Sequence, residues 1–343
     1  MRQNLTYDLR NYRSGDEHQI VDLFNAAFGT NDVFTPRTVE FWIWRYLKKP
    51  GFDPEGVFLA EKEGRIISSV IETLRKAKFG EKTLLLGAID DVATPPELRN
   101  RGLASKLLEE SIKYAEQKGL DGLTLFADPE GPGYKIYQRY GFTDIKRFHF
   151  YMKTLDQKIK DFETQKEDYR AKRSLEHLTS ENLKGFVEKY NAAYEQYDGF
   201  HPLSIDEIRW RLLEPINVFP SQTWIAMKDQ EIVGGGTLRV RKIVAWGSEL
   251  NSAVIENVFT LDINDMGAAK DILLKILKVA RGKGCPMAIC IVSSNCDSKS
   301  KPLETVGFTK IAEDSQMIKC LSDFDFSESV KRCWYTPYEH MIG

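Results

Sequence analysis

Apolar residues fall at helical spacing twice near the start of the chain, in DEHQIVDLFNAAF and TVEFWIWRYL, and each run predicts a helix. VFLAEKEGRIISSVIETLRKAKF reads as two apolar runs around a charged EKEG turn, a hairpin. TLLLGAIDDVAT predicts a further buried strand, which PPEL stops because proline cannot continue a hydrogen-bonded ladder. The next segment places Leu103, Leu107, Leu108, Ile112 and Ala115 on one helical face, and Gly119 closes that helix. LDGLTLFAD is the next strand, GYKIYQRY a short helix, and Gly141 a turn into FTDIKRFHFYMK. The order is that of a mixed α/β layer, with a glycine-bearing loop between a strand and the longest helix.

The pattern then repeats. Trp44-Arg45 returns as Trp210-Arg211, Phe58 as Trp224, DDVAT as ENVFT and Gly141-Phe142 as Gly307-Phe308, each 166 positions later. GLASKLLEESIKYAEQKG returns at 267–284 at an offset of 165, one residue having been lost from the loop between. One offset held by separate blocks predicts two homologous domains in tandem, 1–155 and 174–322. A charged linker (156–173) joins them, and a tail (323–343) follows. In the second copy, Gly234-Gly235-Gly236 is read as a place where a strand passes close to its neighbours, with a site of ligand approach as the alternative.

Composition narrows the function classes. The chain has 343 residues, 48 Lys+Arg against 50 Asp+Glu and a net charge of −2. That balance offers no field to hold a polyanion, so nucleic acid is not expected as a partner. No stretch suits a membrane span, and the charged N-terminus does not read as a signal peptide, which points to a cytoplasmic protein. Five cysteines, all in the second half, lack metal or redox spacing and are expected as reduced thiols. The five histidines are scattered and predict no metal site. The sequence leaves oligomeric state open.

Candidate chemistry concentrates in DVATPPELRNRGLASKLL. A strand ends, a turn carries Arg99, Arg101 and Gly102, and a helix begins at once. A helix start has unpaired N–H groups and the positive end of the dipole, which suit a phosphate. Gly102 lets the backbone approach the oxygens, Ala104 keeps the next turn open, and the arginines add charged donors. With Arg99-Asn100-Arg101-Gly102-Leu103-Ala104 matching [QR]-x-x-G-x-[GA], and Tyr137-Gln138-Arg139-Tyr140-Gly141-Phe142 matching Y-x-x-x-G-F, the sequence resembles the GNAT superfamily of acyl-CoA-dependent N-acyltransferases. The resemblance covers nearly all of 5–152 and, more weakly, 175–320. VATPPELRNRGLA and IYQRYGF look most like tandem members of the enhanced-intracellular-survival type, without room here for that type's third, sterol-carrier-like domain.

The resemblance implies two tandem GNAT domains of mixed α/β sheet, with acetyl-CoA as co-substrate and no metal. It implies pantetheine bound by the backbone of Val92, Ala93 and Thr94, diphosphate at 99–104, and Tyr137 near the sulfur. Glu130-Gly131-Pro132-Gly133 departs from the family's usual asparagine and alanine in that loop. The acceptor is a primary amine of a small molecule or a protein. A lysine-like amine must lose a proton, which costs ~4.6 kcal/mol at pH 7. Asp90 or Asp91, the Gly343 carboxylate or water are the candidates to receive it. Strand alternation predicts that Asp90 and Asp91 point to opposite faces. The alternatives are a non-catalytic acyl-CoA sensor and an aminoacyl transferase of the same build. The second copy replaces Arg99 with Asn264, Arg101 with Met266 and Tyr137 with Leu303, and adds Asp262 and Asp265, so it is expected to lack acyl-CoA chemistry. The aromatic stretch Phe24, Phe28, Phe34, Phe41, Trp42 and Trp44 is expected to be mostly core, bordering the acceptor cleft.

Overall fold

A computed structural model describes residues 6–155, 173–214, 217, 219–245 and 247–336. The proposed linker, apart from Arg173, and the end of the tail with Gly343 lie outside the described residues. The first half runs β1 (Asp8–Asn11), α1 (Glu17–Phe28), β2 (Val33–Phe34), α2 (Val39–Trp42), β3 (Val57–Lys62), β4 (Arg65–Phe79), β5 (Lys82–Ala93), α3 (Leu103–Gln117), β6 (Gly122–Ala127), α4 (Tyr134–Arg139) and β7 (Thr143–Thr154). The second half runs β8 (Ser174–His177), α5 (Leu183–Tyr194), α6 (Ile205–Ile208), β9 (Ser221–Lys228), β10 (Glu231–Ala245), β11 (Ser248–Thr260), α7 (Met266–Gly282), β12 (Met287–Ser293), α8 (Asp297–Thr305) and β13 (Thr309–Cys320). Most elements recur at the offset read from the sequence. The charged turn between β3 and β4 has Glu63 and Gly64 at φ +51° and +75°, the two left-handed residues that a tight hairpin needs, and Asp229 and Gln230 repeat it.

These thirteen strands form one sheet, in the order β1-β3-β4-β5-β6-β13-β7-β12-β11-β10-β9-β8, with β2 paired to β10. The last strand of each half therefore lies against the other half. β13 pairs with β6, β7 pairs with β12, and β7 and β13 meet antiparallel at the centre. The crossing is repeated at the rim, where Phe34 of β2 pairs with Val244 and Phe200 bridges to Lys78. Trp44 and Trp210 mark the pseudo-twofold axis, because each indole N–H donates to the other's carbonyl, at 3.4 and 2.9 Å. Phe41 and Phe219 complete that buried cluster, so this part of the aromatic stretch is core.

β10 carries Gly234, Gly235 and Gly236 because a Cβ on the first would meet the Phe259 carbonyl at 2.6 Å and one on the third would meet Ile272 of α7 at 2.6 Å. Close strand and helix packing accounts for them. The tail folds back onto the centre of the sheet. Trp334 packs on Phe79 and Phe326, and buried Lys146 donates to the Val330 and Arg332 carbonyls at 2.9 and 2.7 Å. That return brings Cys333 to Cys296, 4.8 Å apart at Cα, and the two form a disulfide. The expectation of five reduced thiols is thus corrected, since Cys285, Cys290 and Cys320 alone are free. A pairing across 37 residues that depends on a tertiary return leaves no trace in local spacing.

Candidate functional site

In each half the two central parallel strands pair only briefly and then part. β5 and β6 pair from Leu86↔Gly122 to Ala88↔Thr124, and β11 and β12 from Ser252↔Met287 to Ile255↔Cys290. Beyond those points residues 89–93 of β5 and 256–260 of β11 face an opening rather than a parallel neighbour.

The end of β5 carries a bulge. Ile71 pairs with Asp90 and Ser69 with Ala93, which leaves Asp91 and Val92 outside the β4 ladder, with Asp91 at φ +43°. The bulge overturns the expectation from strand alternation. Asp90 and Asp91 do not diverge: both carboxylates accept from the Tyr46 hydroxyl, at 3.2 and 2.9 Å. Arg45 bonds Asp90, and Arg37 bonds Asp91 at 3.3 Å. Both arginines are buried, and Asn25 holds the Arg37 backbone through bonds of 2.8 and 3.0 Å. Burial pushes the Tyr46 phenol well up, opposed by Arg45 and aided by the two aspartates, so it stays a donor. Arg45 and Tyr46 lie in a π-helical segment, Ile43–Leu47, that continues α2. Sequence reasoning missed Arg37, Arg45 and Tyr46. The repeated Trp-Arg pair was the available signal for Arg45, because Arg211 sits in the matching segment, Arg209–Leu213.

Tyr137 lies on α4, its ring edge-on to Phe142 at 6.1 Å and close enough to Gly133 that a Cβ there would meet it at 3.2 Å. Burial, with a smaller contribution from the Asp90 charge, pushes its phenol up to about 12. It is therefore a hydrogen-bond donor at neutral pH. In the departing loop, Asp128 organises the turn by accepting from the Glu130 and Gly131 N–H groups, both at 2.9 Å.

The candidate phosphate loop is exposed and self-supporting. Arg99 donates to the Thr94 carbonyl at 3.1 Å and to the Ala27 carbonyl at the end of α1 at 2.6 Å, while Arg101 donates to the Glu97 carbonyl at 3.3 Å. Thr94 is held by Ser68, 2.8 Å between hydroxyls. Asn100 and Gly102 take φ +61° and +80°. Gly102 is the N-cap of α3, and no side chain caps that helix. The first N–H groups at Leu103 and Ala104 thus open toward the loop.

The second half closes the same places with its own side chains. Asp265 accepts from the Ala268 N–H at 2.9 Å, capping α7, and pairs with Arg173 at 2.8 Å. Asp262 accepts from the Asn264 N–H at 2.9 Å. The Val258 carbonyl, counterpart of Val92, accepts from the Lys299 ammonium at 2.7 Å and the Tyr194 hydroxyl at 3.1 Å. Leu303 is buried where the first half has Tyr137. Glu256 and Asn257 repeat the bulge, with Asn257 at φ +57°, but they serve an internal network: Arg239 and Arg211 bond Glu256, and Arg211 also bonds Asn257 at 2.7 Å and the Tyr335 hydroxyl at 2.9 Å. Among the described residues no group of histidine, cysteine or acidic side chains is placed to hold a metal ion. No helix among them is long and apolar enough to cross a membrane.

Residues 8–145 match the acetyltransferase (GNAT) domain family. An uncharacterized N-acetyltransferase, MJ1207, of Methanocaldococcus jannaschii is 25% identical over 148 residues, which are 40% of this chain and 62% of that protein. A mycothiol acetyltransferase of Acidimicrobium ferrooxidans is 30% identical over 135 residues, 39% of this chain and 42% of that protein. The shared segment is thus less than two thirds of either relative. Among solved structures, Saccharomyces cerevisiae N-myristoyltransferase with bound myristoyl-CoA superposes with a TM-score of 0.72 at 12% identity, over 93% of this chain and 84% of that one. A GCN5-related N-acetyltransferase from Anabaena variabilis does so with a TM-score of 0.62 at 14% identity, over 92% and 73%. The fold is a mixed α/β arrangement of two GNAT-like halves, and the first half carries a GNAT acetyltransferase domain.

Proposed function

We propose that the GNAT domain of the first half transfers an acetyl group from acetyl-CoA to a primary amine, by direct attack while both substrates are bound. The observation that carries this reading is the contrast at the helix starts: Gly102 leaves α3 uncapped, whereas Asp265 caps α7. An uncapped helix start beside parted strands suits a diphosphate followed by its pantetheine arm. In this reading the N–H groups from Leu103 onward hold the diphosphate, Arg99 shapes the loop, and Arg101 at its exposed rim adds charge. The backbone of Val92, Ala93 and Thr94 lines the arm.

Asp90 and Asp91 receive the amine proton, directly or through water. Their shared contact with Tyr46 and their arginine partners keep both carboxylates fixed at the mouth of the gap. Backbone N–H groups near Val92 and Ala93 face the oxygen on which charge develops. Tyr137 donates a hydrogen bond to the departing sulfur rather than a full proton, in keeping with its raised pKa. The acceptor belongs to small-molecule or protein amines, and cytoplasmic residence, where acetyl-CoA is made and used, is part of the proposal. Kinship with the enhanced-intracellular-survival type rests on VATPPELRNRGLA and IYQRYGF alone.

The test is free-thiol release from acetyl-CoA across a panel of primary amines. Amine-dependent release with matching acetylated product is expected. Stoichiometric acetyl-CoA binding without turnover on any amine would replace the enzyme with a sensor.

A further inference from the structure

The second half keeps a cavity of about 50 Å³ between its parted strands, under α8 and beneath the returning tail. At roughly 10–15 Å³ per water, it has room for about three to five waters or a short aliphatic chain. Leu273, Val292, Pro302, Leu303 and Phe259 give it apolar walls, and residues 334–336 of the tail cover it. Lys299 reaches into this space. Its ammonium donates to the Val258 carbonyl and lies 4.5 and 5.1 Å from the ring centres of Tyr194 and Tyr197. No carboxylate among the described residues forms an ion pair with it. Glu256, the acidic group in the lining, already bonds Arg239 and Arg211.

We propose that this cavity is a binding site for a short-chain aliphatic carboxylate, whose anionic end pairs with Lys299 and whose chain fills the apolar walls. The site is separate from the acetyl-transfer cleft and goes beyond the function proposed above. A lysine without a counter-ion in an apolar enclosure favours its neutral form, and an entering anion restores the charged one. The titratable groups facing Lys299 are Cys290 on β12, Glu256 on β11, Tyr194 and Tyr197 on and just after α5, and Tyr335 on the tail. Burial holds the Lys299 ammonium down at about 7, with the Cys290 thiol a small opposing influence. Binding at pH 7 therefore takes up protons.

The experiment is calorimetric titration of the full chain with butyrate at pH 7, in two buffers of different ionisation enthalpy, with and without saturating CoA. Saturable 1:1 binding with proton uptake, unaffected by CoA, is expected. Lys299→Met should weaken it at least tenfold. Leu303→Phe, which fills the cavity and keeps the lysine, should do the same and serves as the second variant if Lys299→Met fails to fold. Absence of saturable binding, binding displaced by CoA, or binding unchanged in a folded variant would overturn the proposal. None of these results depends on whether the first half turns over acetyl-CoA.

Discussion

Glu72 makes the stability of the first half depend on pH in a direction opposite to that of most carboxylates. It lies on β4, 1% exposed, facing α3, with one oxygen accepting from the Ser111 hydroxyl at 2.6 Å and the other without a partner. Gly87 on β5, diagonal to Glu72 across the ladder, has no Cβ because the Glu72 carboxyl fills that space. The second half has Leu238 at the matching position, also buried. Desolvation raises the Glu72 pKa from 4.5 to about 8, against a small pull from Ser111. An acid with a raised folded-state pKa binds its proton more tightly in the native chain than in the unfolded one, so stability falls as pH rises between the two values. From pH 4.5 to 7 the loss is about 3 kcal/mol, and by pH 9 about 4 kcal/mol, at ~1.36 kcal/mol per unit. Glu72→Gln removes this contribution. Urea unfolding of both proteins from pH 5 to 9 should show the variant gaining on the parent by about 3–5 kcal/mol across the range. Parallel pH profiles would refute the reasoning, because they would mean that Glu72 ionises in the folded chain as readily as in water.

Tyr137→Phe should lower kcat roughly tenfold or more with little change in acetyl-CoA affinity, measured by steady-state kinetics and titration; an unchanged kcat would remove its assigned role. Arg99→Ala should weaken acetyl-CoA binding and also cost about 1–2 kcal/mol of stability, since its guanidinium ties Thr94 to the end of α1. Asp90→Asn should cost about 2–3 kcal/mol by removing a carboxylate charge that pairs with buried Arg45, and should reduce kcat with the amine; thermal melts and kinetics read the two effects separately. Asp265→Ala should cost about 1 kcal/mol through loss of the α7 cap, with acetyl-CoA affinity unaffected.

The repeat was legible to the residue: β4 and β10, and likewise β7 and β13, begin and end 166 positions apart, as the Trp-Arg pair foretold. Side-chain pattern sets which face of a strand is buried, and that is why helix faces and the hairpin turn could be read directly. It does not set which neighbour a strand chooses. β7 and β13 are strands of equal length at equivalent places in the repeat, and nothing in their pattern says which half each pairs with, so their exchange between halves could not be inferred. The bulge at Asp91 was hidden for a similar reason, because one left-handed residue reverses a face without changing composition. Lys299 was invisible as a plug because its role comes from α8 folding over the strand gap. The loss of Arg99 and Arg101 in the second copy was visible in sequence, and the structure adds that Asp265 caps the matching helix start while Lys299 bonds the carbonyl of Val258, the counterpart of Val92.

Calorimetric titration of the full chain with acetyl-CoA, alongside Gly102→Asp, measures the central claim directly. One molecule per chain should bind, and the variant, which puts a carboxylate at the α3 start where φ is +80°, should abolish that binding while the fold persists. Two molecules per chain, or one that binds equally well to the variant, would contradict the assignment of the cofactor to the first half.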